Sequence, residues 1–271
     1  MAIHATAIIH SGAEIDPTAE IGPYCVIGPR VKIGPATRLI SHVVVDNDTT
    51  LGASNVIHPF AALGGPPQDL KFKGERSRLV IGDNNVIREG ATLHLGTSHG
   101  HMETRVGSNC LLMAYSHVAH DCTVGDRVVL ANSVGLAGHV TVGDNVIMGG
   151  IAGVHQFCRV GRNAFVAGGA MASQDVPPFC IAKGDRAQLV GLNIIGLKRA
   201  GWSRDTIQLV RKAFHELFLS DGTRLAALER TEQDLAPQAA EVAEMCRFVR
   251  AAKRGVCRAR MAEPSTDPYE E

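Results

Sequence analysis

An aliphatic residue recurs at every sixth position through much of the first 172 residues of this 271-residue chain. The period runs from Ile3 to Leu63, resumes from Ile81 to Leu93, and runs again from Val106 to Ala172. A repeat of six does not follow the 3.6-residue stripe of a helix, but it suits a short strand followed by a turn. It therefore predicts a mainly β fold, a parallel β-helix in which three hexads make one triangular coil.

The residue two places before each aliphatic is small or β-branched, as an inward position near a corner requires. Four of the seven cysteines fall at this position, and we expect them to pack as small apolar residues: Cys25, Cys110, Cys122 and Cys158. The odd number of cysteines and the absence of a CxxC pair argue against a disulfide framework. This usage fits a reducing cytoplasm.

Two polar segments interrupt the period, and both are expected to be loops that leave the coil. They are near residues 65–78 (GPPQDLKFKGERSR) and 96–105 (GTSHGHMETR). The period stops near Ala172, and from Ile195 onward the pattern becomes helical, with Ser203 as a helix cap and further helices after Gly222. We expect a β-helix over 1–190, a small helical domain over 191–271, and a frayed polar tail from Glu263 to Glu271.

Charge and hydropathy exclude several function classes. The chain has 27 basic and 27 acidic side chains, which gives no general reason to bind nucleic acid or anionic membranes. No apolar run approaches the roughly 18 residues of a membrane span. The first residues show no secretory signal pattern, so a cytoplasmic protein is expected.

Histidines mark the candidate site. His117, His120, His139 and His155 cannot all be buried in an aliphatic core, and the 18-residue coil is expected to align them along one edge of the prism. A neutral imidazole can take a proton from an alcohol at neutral pH, which predicts general base catalysis. Asp121 could orient His120, although strand alternation predicts that adjacent side chains point to opposite faces.

Zinc is the alternative use of such histidines. Three neutral imidazoles from neighbouring coils or subunits can hold zinc and leave an open position, as in carbonic anhydrases of hexapeptide-repeat type. The HVAH spacing in an extended chain puts His117 and His120 on opposite faces, which is poor for joint chelation. We therefore expect no metal.

Several sequence islands are more specific than the hexads. They are PPQDLKFKGE (66–75), IREGATLHLGT (87–97), HVAHDCTVG (117–125), LAGHV (136–140), VHQFC (154–158), QDVPPF (174–179) and GLNIIGLKRAG (191–201). With these islands in this order, nearly the whole chain resembles the UDP-N-acetylglucosamine O-acyltransferases, which catalyse the first step of lipid A biosynthesis in Gram-negative bacteria.

The resemblance implies a reaction and an assembly. An (R)-3-hydroxyacyl group would pass from acyl carrier protein to the 3-hydroxyl of UDP-N-acetylglucosamine; the 3-amino analogue of the acceptor stays open. The family forms a homotrimer of left-handed β-helices with active sites between subunits. It uses no metal or dissociable cofactor apart from the phosphopantetheine arm on the carrier.

The resemblance also implies roles for individual residues. His120 would be the general base, Asp121 would orient it, and the amide of Gly138 would stabilise the oxyanion. Residues implied in substrate binding are Gln68, Asp69, Lys71, His117, His139, His155, Gln156, Asn193 and Arg199. Gly168 falls where the family sets acyl-chain length, and a glycine there implies a long chain.

Two positions depart from the family pattern. Ile195 stands where many members have glutamate, and Ala200 where they have a second arginine. Ile195 cannot make a polar contact and Ala200 removes a charge, so part of the nucleotide contact is affected.

Basic residues of the helical segment suggest a partner. Arg247 to Arg260 holds six basic side chains and no acid, and Lys198 to Lys212 holds a second cluster. Acyl carrier protein is acidic, so complementary charge is expected to steer its encounter.

The other functions that the sequence leaves open are the N-acyltransferase of the same pathway, an acetyl-CoA-dependent transferase, and a non-catalytic prism. The N-acyltransferase normally carries an additional N-terminal domain, for which hexads that begin at Ile3 leave no space.

Overall fold

A computed structural model describes residues 2–260 and shows a left-handed, three-sided prism of short strands, followed by helices. The tail expected from Glu263 to Glu271 lies outside the described residues. Neighbouring strands of each face are parallel, apart from one antiparallel pair at the end of the first face. The predicted fold class is confirmed by this topology and by the solved structures compared below.

The strands fall on three faces. The first face contains Ala2–Ile3, Glu20–Ile21, Arg38–Leu39, Val56–Ile57, Val86–Ile87, Leu111–Leu112, Val129–Leu130, Ile147–Met148, Phe165–Val166, Cys180–Lys183 and Gln188–Leu192. The second contains Ile8–Ile9, Val26–Ile27, Val44–Val45, Ala62–Gly65, Thr92–His94, His117–Val118, Gly135–Leu136, Gly153–Val154 and Met171–Ala172. The third contains Glu14–Ile15, Lys32–Ile33, Asp48–Leu51, Arg78–Ile81, Glu103–Val106, Thr123–Val124, Thr141–Val142 and Arg159–Val160.

The hexad aliphatics fill the interior, as the period predicts. From Ile21 upward they are buried, whereas Ile3 in the first coil is 41% exposed because no layer of the described chain lies beneath it. The four cysteines at the small inward position are all buried and unpaired. Burying these side chains is the main favourable term for such a stack.

A polar ladder runs up one inner corner of the prism. Asn85 donates from Nδ2 to the carbonyl of Gly107, at 3.0 Å, and its Oδ1 accepts from the amide of Cys110, at 2.8 Å. Asn55 repeats this pattern one coil below, with Gly82 as its acceptor. Because each buried amide finds partners in the next coil, the ladder joins successive coils without an unsatisfied group.

Both expelled loops leave the prism at one corner. They connect second-face strands to third-face strands across residues 66–77 and 95–102. Both loops are therefore shorter than the predicted segments, because Gly65, Arg78 and residues 103–105 belong to strands. The corner of the next coil is residues 119–122, so the loops lie directly beneath it.

In the described part of the chain, four α-helices follow the coil: α1 (Ile194–Arg199), α2 (Arg204–Phe218), α3 (Arg224–Asp234) and α4 (Ala240–Arg250), with a 3₁₀ turn at Ala236–Gln238. The hydroxyl of Ser203 caps α2, accepting from the amide of Thr206 at 3.0 Å. Within residues 2–260, no helix has the length and apolar character needed to cross a bilayer.

Candidate active site

The candidate site lies at the corner where each coil passes from the second face to the third. His120 and Asp121 occupy this corner in one coil, and Gly138 and His139 occupy it in the next. Asp121 and His139 both have positive φ, 59° and 62°. This left-handed backbone interrupts strand alternation, so the expectation that His120 and Asp121 point to opposite faces is wrong.

The side chains of His120 and Asp121 are in direct contact. Nδ1 of His120 lies 2.9 Å from Oδ2 of Asp121. The aspartate side chain is fully buried, and the imidazole is 13% exposed. An ionised carboxylate only accepts hydrogen bonds, so the proton of the neutral imidazole sits on Nδ1. Nε2 of His120 is then left with a free lone pair.

The second loop holds the carboxylate of Asp121 in its ionised form. Oδ1 accepts from the amides of Thr97, at 3.1 Å, and His101, at 2.7 Å, while Oδ2 accepts from the Thr97 hydroxyl at 2.6 Å. Burial would raise the pKa of Asp121, but the hydrogen bonds from Thr97, His120 and His101 outweigh it and keep that pKa below its ordinary value.

Gly138 makes room for the His120 ring. A Cβ on Gly138 would lie 2.5 Å from Cε1 and 2.6 Å from Nε2 of His120. Any other residue would displace the imidazole, since real Cβ contacts are never this short. The amide of Gly138 donates to no acceptor among residues 2–260. The amide N–H of Gly138 thus lies beside the lone pair on Nε2 of His120.

The first loop brings a second acid to this corner. Oδ2 of Asp69 lies 2.8 Å from Nε2 of His99 and 4.0 Å from Nε2 of His120. The amide of Lys71 donates to Asp69, which with the contact to His99 keeps the pKa of Asp69 below its ordinary value. The side chains of Gln68 and Lys71 are exposed.

His139 continues the cluster upward. Its ring centroid is 5.0 Å from that of His120 and 6.2 Å from that of His99, and it stacks on Phe157 at 4.4 Å. Burial is the largest cause of the lowered pKa of His139. The expectation of a histidine line that includes His155 is wrong, because the 18-residue register places Phe157 over His139.

His117 lies one strand before the corner, on the second face. Its Nδ1 is 2.7 Å from the hydroxyl of Thr92, and its ring meets the edge of His94 at 4.8 Å. Burial lowers the pKa of His117, and it lowers the pKa of His94 to about 4. Nδ1 of His94 is buried without a hydrogen-bond partner among the described residues.

An apolar groove of about 490 Å³ runs along the second face beside this corner. Its lining includes His117, Gly135, Gly153, His155 and Met171. The two glycines leave a channel whose walls are mostly carbon, which suits an aliphatic chain.

Two predicted residues flank this groove without entering its lining. Gln156 is exposed at the corner above Gly138, and its carbonyl lies 3.1 Å from Nδ1 of His155. Gly168 lies at the opposite corner, between the first and second faces.

A second groove, of about 500 Å³, lies on the first face under α1 and contains Asn193, Ile195, Arg199 and Ala200. Asn193 caps α1 through the amide of Gly196 and donates from Nδ2 to the carbonyl of Asn163 at 2.9 Å. The side chain of Ile195 is 65% exposed.

Arg199 is exposed and has no ion-pair partner among residues 2–260. The corner of His120 is formed by the other two faces of the prism. The structure therefore does not bring Asn193 and Arg199 to His120 within one protomer.

The donor atoms at the corner fit hydrogen bonds better than a metal. One ligand atom each from His120, Asp121 and His139 lies within 4.8 Å of the others. Oδ2 of Asp121, however, already accepts from His120 and from Thr97, at 2.9 and 2.6 Å. A zinc ion would need each ligand at about 2.0–2.2 Å, which these bonded atoms do not offer as placed.

Sequence reasoning predicted the residues of this corner but missed three that support them: Thr97, His99 and His94. Thr97 and His99 belong to the second expelled loop, whose polar composition was the only signal. His94 belongs to a strand, and its position directly after the inward Leu93 gives no sign that its ring turns back toward His117.

A three-sided prism of hexads is the architecture of the hexapeptide-repeat transferases, and two family models match this chain. The family model described as bacterial transferase hexapeptide (six repeats) matches residues 103–138. The model described as UDP N-acetylglucosamine O-acyltransferase, domain 2, matches residues 175–257.

Relatives extend the match over nearly the whole chain. The acyl-[acyl-carrier-protein]–UDP-N-acetylglucosamine O-acyltransferase of Caulobacter vibrioides is 51% identical, over 95% of this chain and 98% of its own. The protein of the same name from Thermodesulfovibrio yellowstonii is 46% identical, over 94% and 99%. The solved structure of LpxA from Acinetobacter baumannii superposes with a TM-score of 0.93 at 44% identity, over 95% and 100%. The chain belongs to the UDP-N-acetylglucosamine O-acyltransferase family.

Proposed function

We propose that the His120–Asp121 corner catalyses the acyl transfer for which the family is named. The relatives carry the name acyl-[acyl-carrier-protein]–UDP-N-acetylglucosamine O-acyltransferase, and the chain is an acyltransferase that acts on this nucleotide sugar. The reaction passes an (R)-3-hydroxyacyl group from acyl carrier protein to the sugar 3-hydroxyl, as the first step of lipid A biosynthesis. The observation that carries the proposal is the 2.9 Å contact between His120 and Asp121.

His120 acts as the general base. Its Nε2 accepts the proton of the attacking 3-hydroxyl, while Asp121 holds Nδ1–H and stabilises the imidazolium that forms. The C–O bond forms as the oxygen adds to the thioester carbonyl. Collapse of the tetrahedral intermediate breaks the C–S bond, and the imidazolium returns the proton to the departing thiolate.

Gly138 stabilises the oxyanion of that intermediate. Its amide is free and lies next to the His120 ring, so one donor and one base flank the same space. A donor placed where negative charge develops contributes about 3–4 kcal/mol in mutational tests on other enzymes. The proposal uses no metal and no cofactor beyond the donor's own phosphopantetheine arm.

The groove on the second face holds the acyl chain, and the polar groups around it hold the sugar nucleotide. His117, His139, His155 and Gln156 line the approach to His120, and the first loop adds Gln68, Asp69 and Lys71. Gly168 sets the far limit for the acyl chain, since a glycine leaves room for a long one.

The active enzyme is a homotrimer in this proposal, with sites between subunits. Arg199 and Asn193 lie on the first face, whereas His120 lies at the corner of the other two. A neighbouring copy that sets its first face against this corner completes the site. The guanidinium of Arg199 then meets the diphosphate, which suits its forked geometry.

The basic segment Arg247 to Arg260 receives the acidic carrier protein. All six of its cations are exposed: Arg247, Arg250, Lys253, Arg254, Arg258 and Arg260. Charge complementarity predicts that the KM for the acylated carrier rises with salt, because screening weakens steering. A KM that is independent of salt would contradict this part of the proposal.

We place the enzyme in the cytoplasm, where its substrates are made. The seven unpaired, buried cysteines suit a reducing compartment. The balanced charge of the chain supports neither nucleic-acid binding nor membrane adsorption.

Mass analysis of the product tests the reaction. The purified enzyme is given UDP-N-acetylglucosamine or its 3-amino analogue, with (R)-3-hydroxyacyl carriers of several chain lengths and with acetyl-CoA. Acylation at position 3 from a long hydroxyacyl carrier is expected. Transfer from acetyl-CoA alone, or a clear preference for a short donor, would contradict the donor class or the role of Gly168.

A further inference from the structure

A third cleft, of about 420 Å³, lies where the helices meet the upper end of the prism. Its walls come from the end of α2, the start of α3 and residues 255–258, with Gln174 from the coil. Arg224 and Arg258 both line it, and no aspartate or glutamate of the described residues 2–260 does. Asp221 adjoins the cleft in sequence but is not part of its lining. The cleft is therefore cationic.

Arg224 is held in this cleft without an acidic partner. One guanidinium nitrogen donates to the carbonyl of Val256 at 3.3 Å, and the group lies 5.6 Å from the ring of Phe218. Burial, followed by the charge of Arg258, lowers the pKa of Arg224. Neither arginine forms an ion pair with a described carboxylate.

Other arginines that join the helices to each other or to the coil are paired. Arg159 bonds Asp175 at 2.7 Å, and Arg162 bonds Glu244 at 2.7 Å. Half-buried charges are normally compensated, because the cost of removing them from water is otherwise not recovered. The contrast indicates that the anion for Arg224 is not a carboxylate of residues 2–260.

We propose that this cleft binds a phosphate ester, with the guanidinium groups of Arg224 and Arg258 as its anion-binding groups. Two guanidinium forks offer several N–H donors, which match the oxygens of a phosphate. The site is separate from the nucleotide groove that holds Arg199, which lies on the first face.

Two kinds of ligand could bring such a phosphate ester to the cleft. One is the phosphodiester that joins the phosphopantetheine arm to the carrier protein, and the other is a free phosphate ester. Gln174 lies at the corner above Gln156, three coils above His120, which is about 14 Å at 4.7–4.9 Å per coil. The first source rests on the proposed function; the site itself does not.

Calorimetric titration with inorganic phosphate tests the site. The full-length protein is first saturated with UDP, so that phosphate does not bind at Arg199. One saturable site per chain is expected, weakened at least tenfold in Arg224→Gln and in Arg258→Gln. Arg247→Gln, at an exposed position of α4 outside the lining of the cleft, should change the affinity less than twofold. The absence of saturable binding, or equal binding by Arg224→Gln, would overturn the site.

Two further variants keep the test interpretable. Arg224→Lys keeps the charge but not the fork, so a correctly folded protein with intermediate affinity is expected. His120→Ala should bind phosphate as the wild type does, even though it is expected to lose acyl transfer. Loss of phosphate binding in His120→Ala would contradict a separate site, whereas retained turnover would count only against the proposed function.

Steady-state kinetics then separate the two sources. If the arm's phosphodiester is the ligand, Arg224→Gln raises the KM for the acylated carrier at least fivefold with little change in kcat. If the ligand is a free phosphate ester, that KM is unchanged while phosphate binding is lost. Both results support the cleft as an anion site, and a fall in kcat with unaltered phosphate binding would oppose it.

Discussion

Single residues decide the geometry of the proposed catalytic corner. Asp121 has its left-handed backbone where the coil turns, which lets its carboxylate reach the ring of its neighbour His120. Gly138, in the next coil, then lies against that ring with no side chain of its own. The carboxylate of Asp121 and the missing side chain of Gly138 therefore set the orientation of the His120 ring.

Replacing Gly138 with alanine tests this geometry. The new Cβ would push the His120 ring from its place, so kcat is expected to fall at least about 100-fold, as when an oxyanion donor or base is displaced. The thermal midpoint should change little, since the corner faces outward. Gly150→Ala, whose Cβ would meet only the carbonyl of Asn132 at 3.4 Å, is the control. Full activity in Gly138→Ala would refute the role of this close contact.

His94 gives the fold a pH dependence. Its pKa is about 4 when buried, against an ordinary value of 6.5, so the unfolded chain binds more protons between these values. Stability is therefore complete above pH 6.5 and falls as the pH drops, by about 2 kcal/mol between pH 7 and pH 5 from this group.

His94→Gln should remove that part of the acid sensitivity. Thermal midpoints at pH 7 and pH 5 measure it, and the variant is expected to lose less stability than the wild type over this interval. The exposed His10 provides the control substitution, His10→Gln. An equal loss in the wild type and in His94→Gln would show that His94 is not the group concerned.

Residue-level predictions from the sequence succeeded where the hexad spacing alone decides the position of a side chain, and failed at the corners, where the backbone conformation also matters. Aliphatic spacing located the core, and the order of the motifs located His120. Spacing does not reveal that the backbone of Asp121 is left-handed, so strand alternation predicts opposite faces for His120 and Asp121 and misses their contact. Nor could it show that loop 95–102 folds back to place Thr97 on the aspartate, because that contact spans a loop without a period.

At the scale of elements, the inner amide ladder binds successive coils together. Asn85 sits in the small inward position, where neighbouring coils have Cys110 or Asn55. Its amide satisfies one carbonyl and one N–H that the strands leave open at the corner. The hexad pattern predicts a small residue at this position, but it does not predict that an asparagine amide makes these two hydrogen bonds.

Asn85→Leu would keep the volume and remove both hydrogen bonds. The carbonyl of Gly107 and the amide of Cys110 would be left buried and unpaired, so a loss of about 2–4 kcal/mol is expected. The midpoint of urea unfolding measures it. Thr141→Val, on an exposed strand position, should stay within about 0.5 kcal/mol. Equal midpoints for the two variants would mean that the ladder contributes nothing.

At the scale of the whole molecule, one protomer holds the parts of the site on different faces. His120 and the acyl groove share the corner and the second face, whereas Arg199 lies in the groove of the first face. The resemblance carried by the sequence islands implies that these residues belong to one site, and the prism geometry places them on different faces of one chain, which is why we propose that two chains share the site.

Mixed oligomers test the shared site. His120→Ala and Arg199→Gln chains, each expected to be at least about 100-fold impaired alone, are unfolded together and refolded. In a random mixture about a quarter of the interfaces combine an intact His120 with an intact neighbouring Arg199, so that share of wild-type activity should return. No recovery, with mixed trimers demonstrated by mass spectrometry, would place both residues in the same chain's site.

The most direct test of the central claim is the kcat/KM of His120→Ala with a long (R)-3-hydroxyacyl carrier and UDP-N-acetylglucosamine. Loss of the base predicts a fall of about 100-fold to 10,000-fold, with the oligomeric state and thermal midpoint preserved and with His10→Ala fully active. A kcat/KM for His120→Ala close to that of the wild type would contradict catalysis by the corner pair.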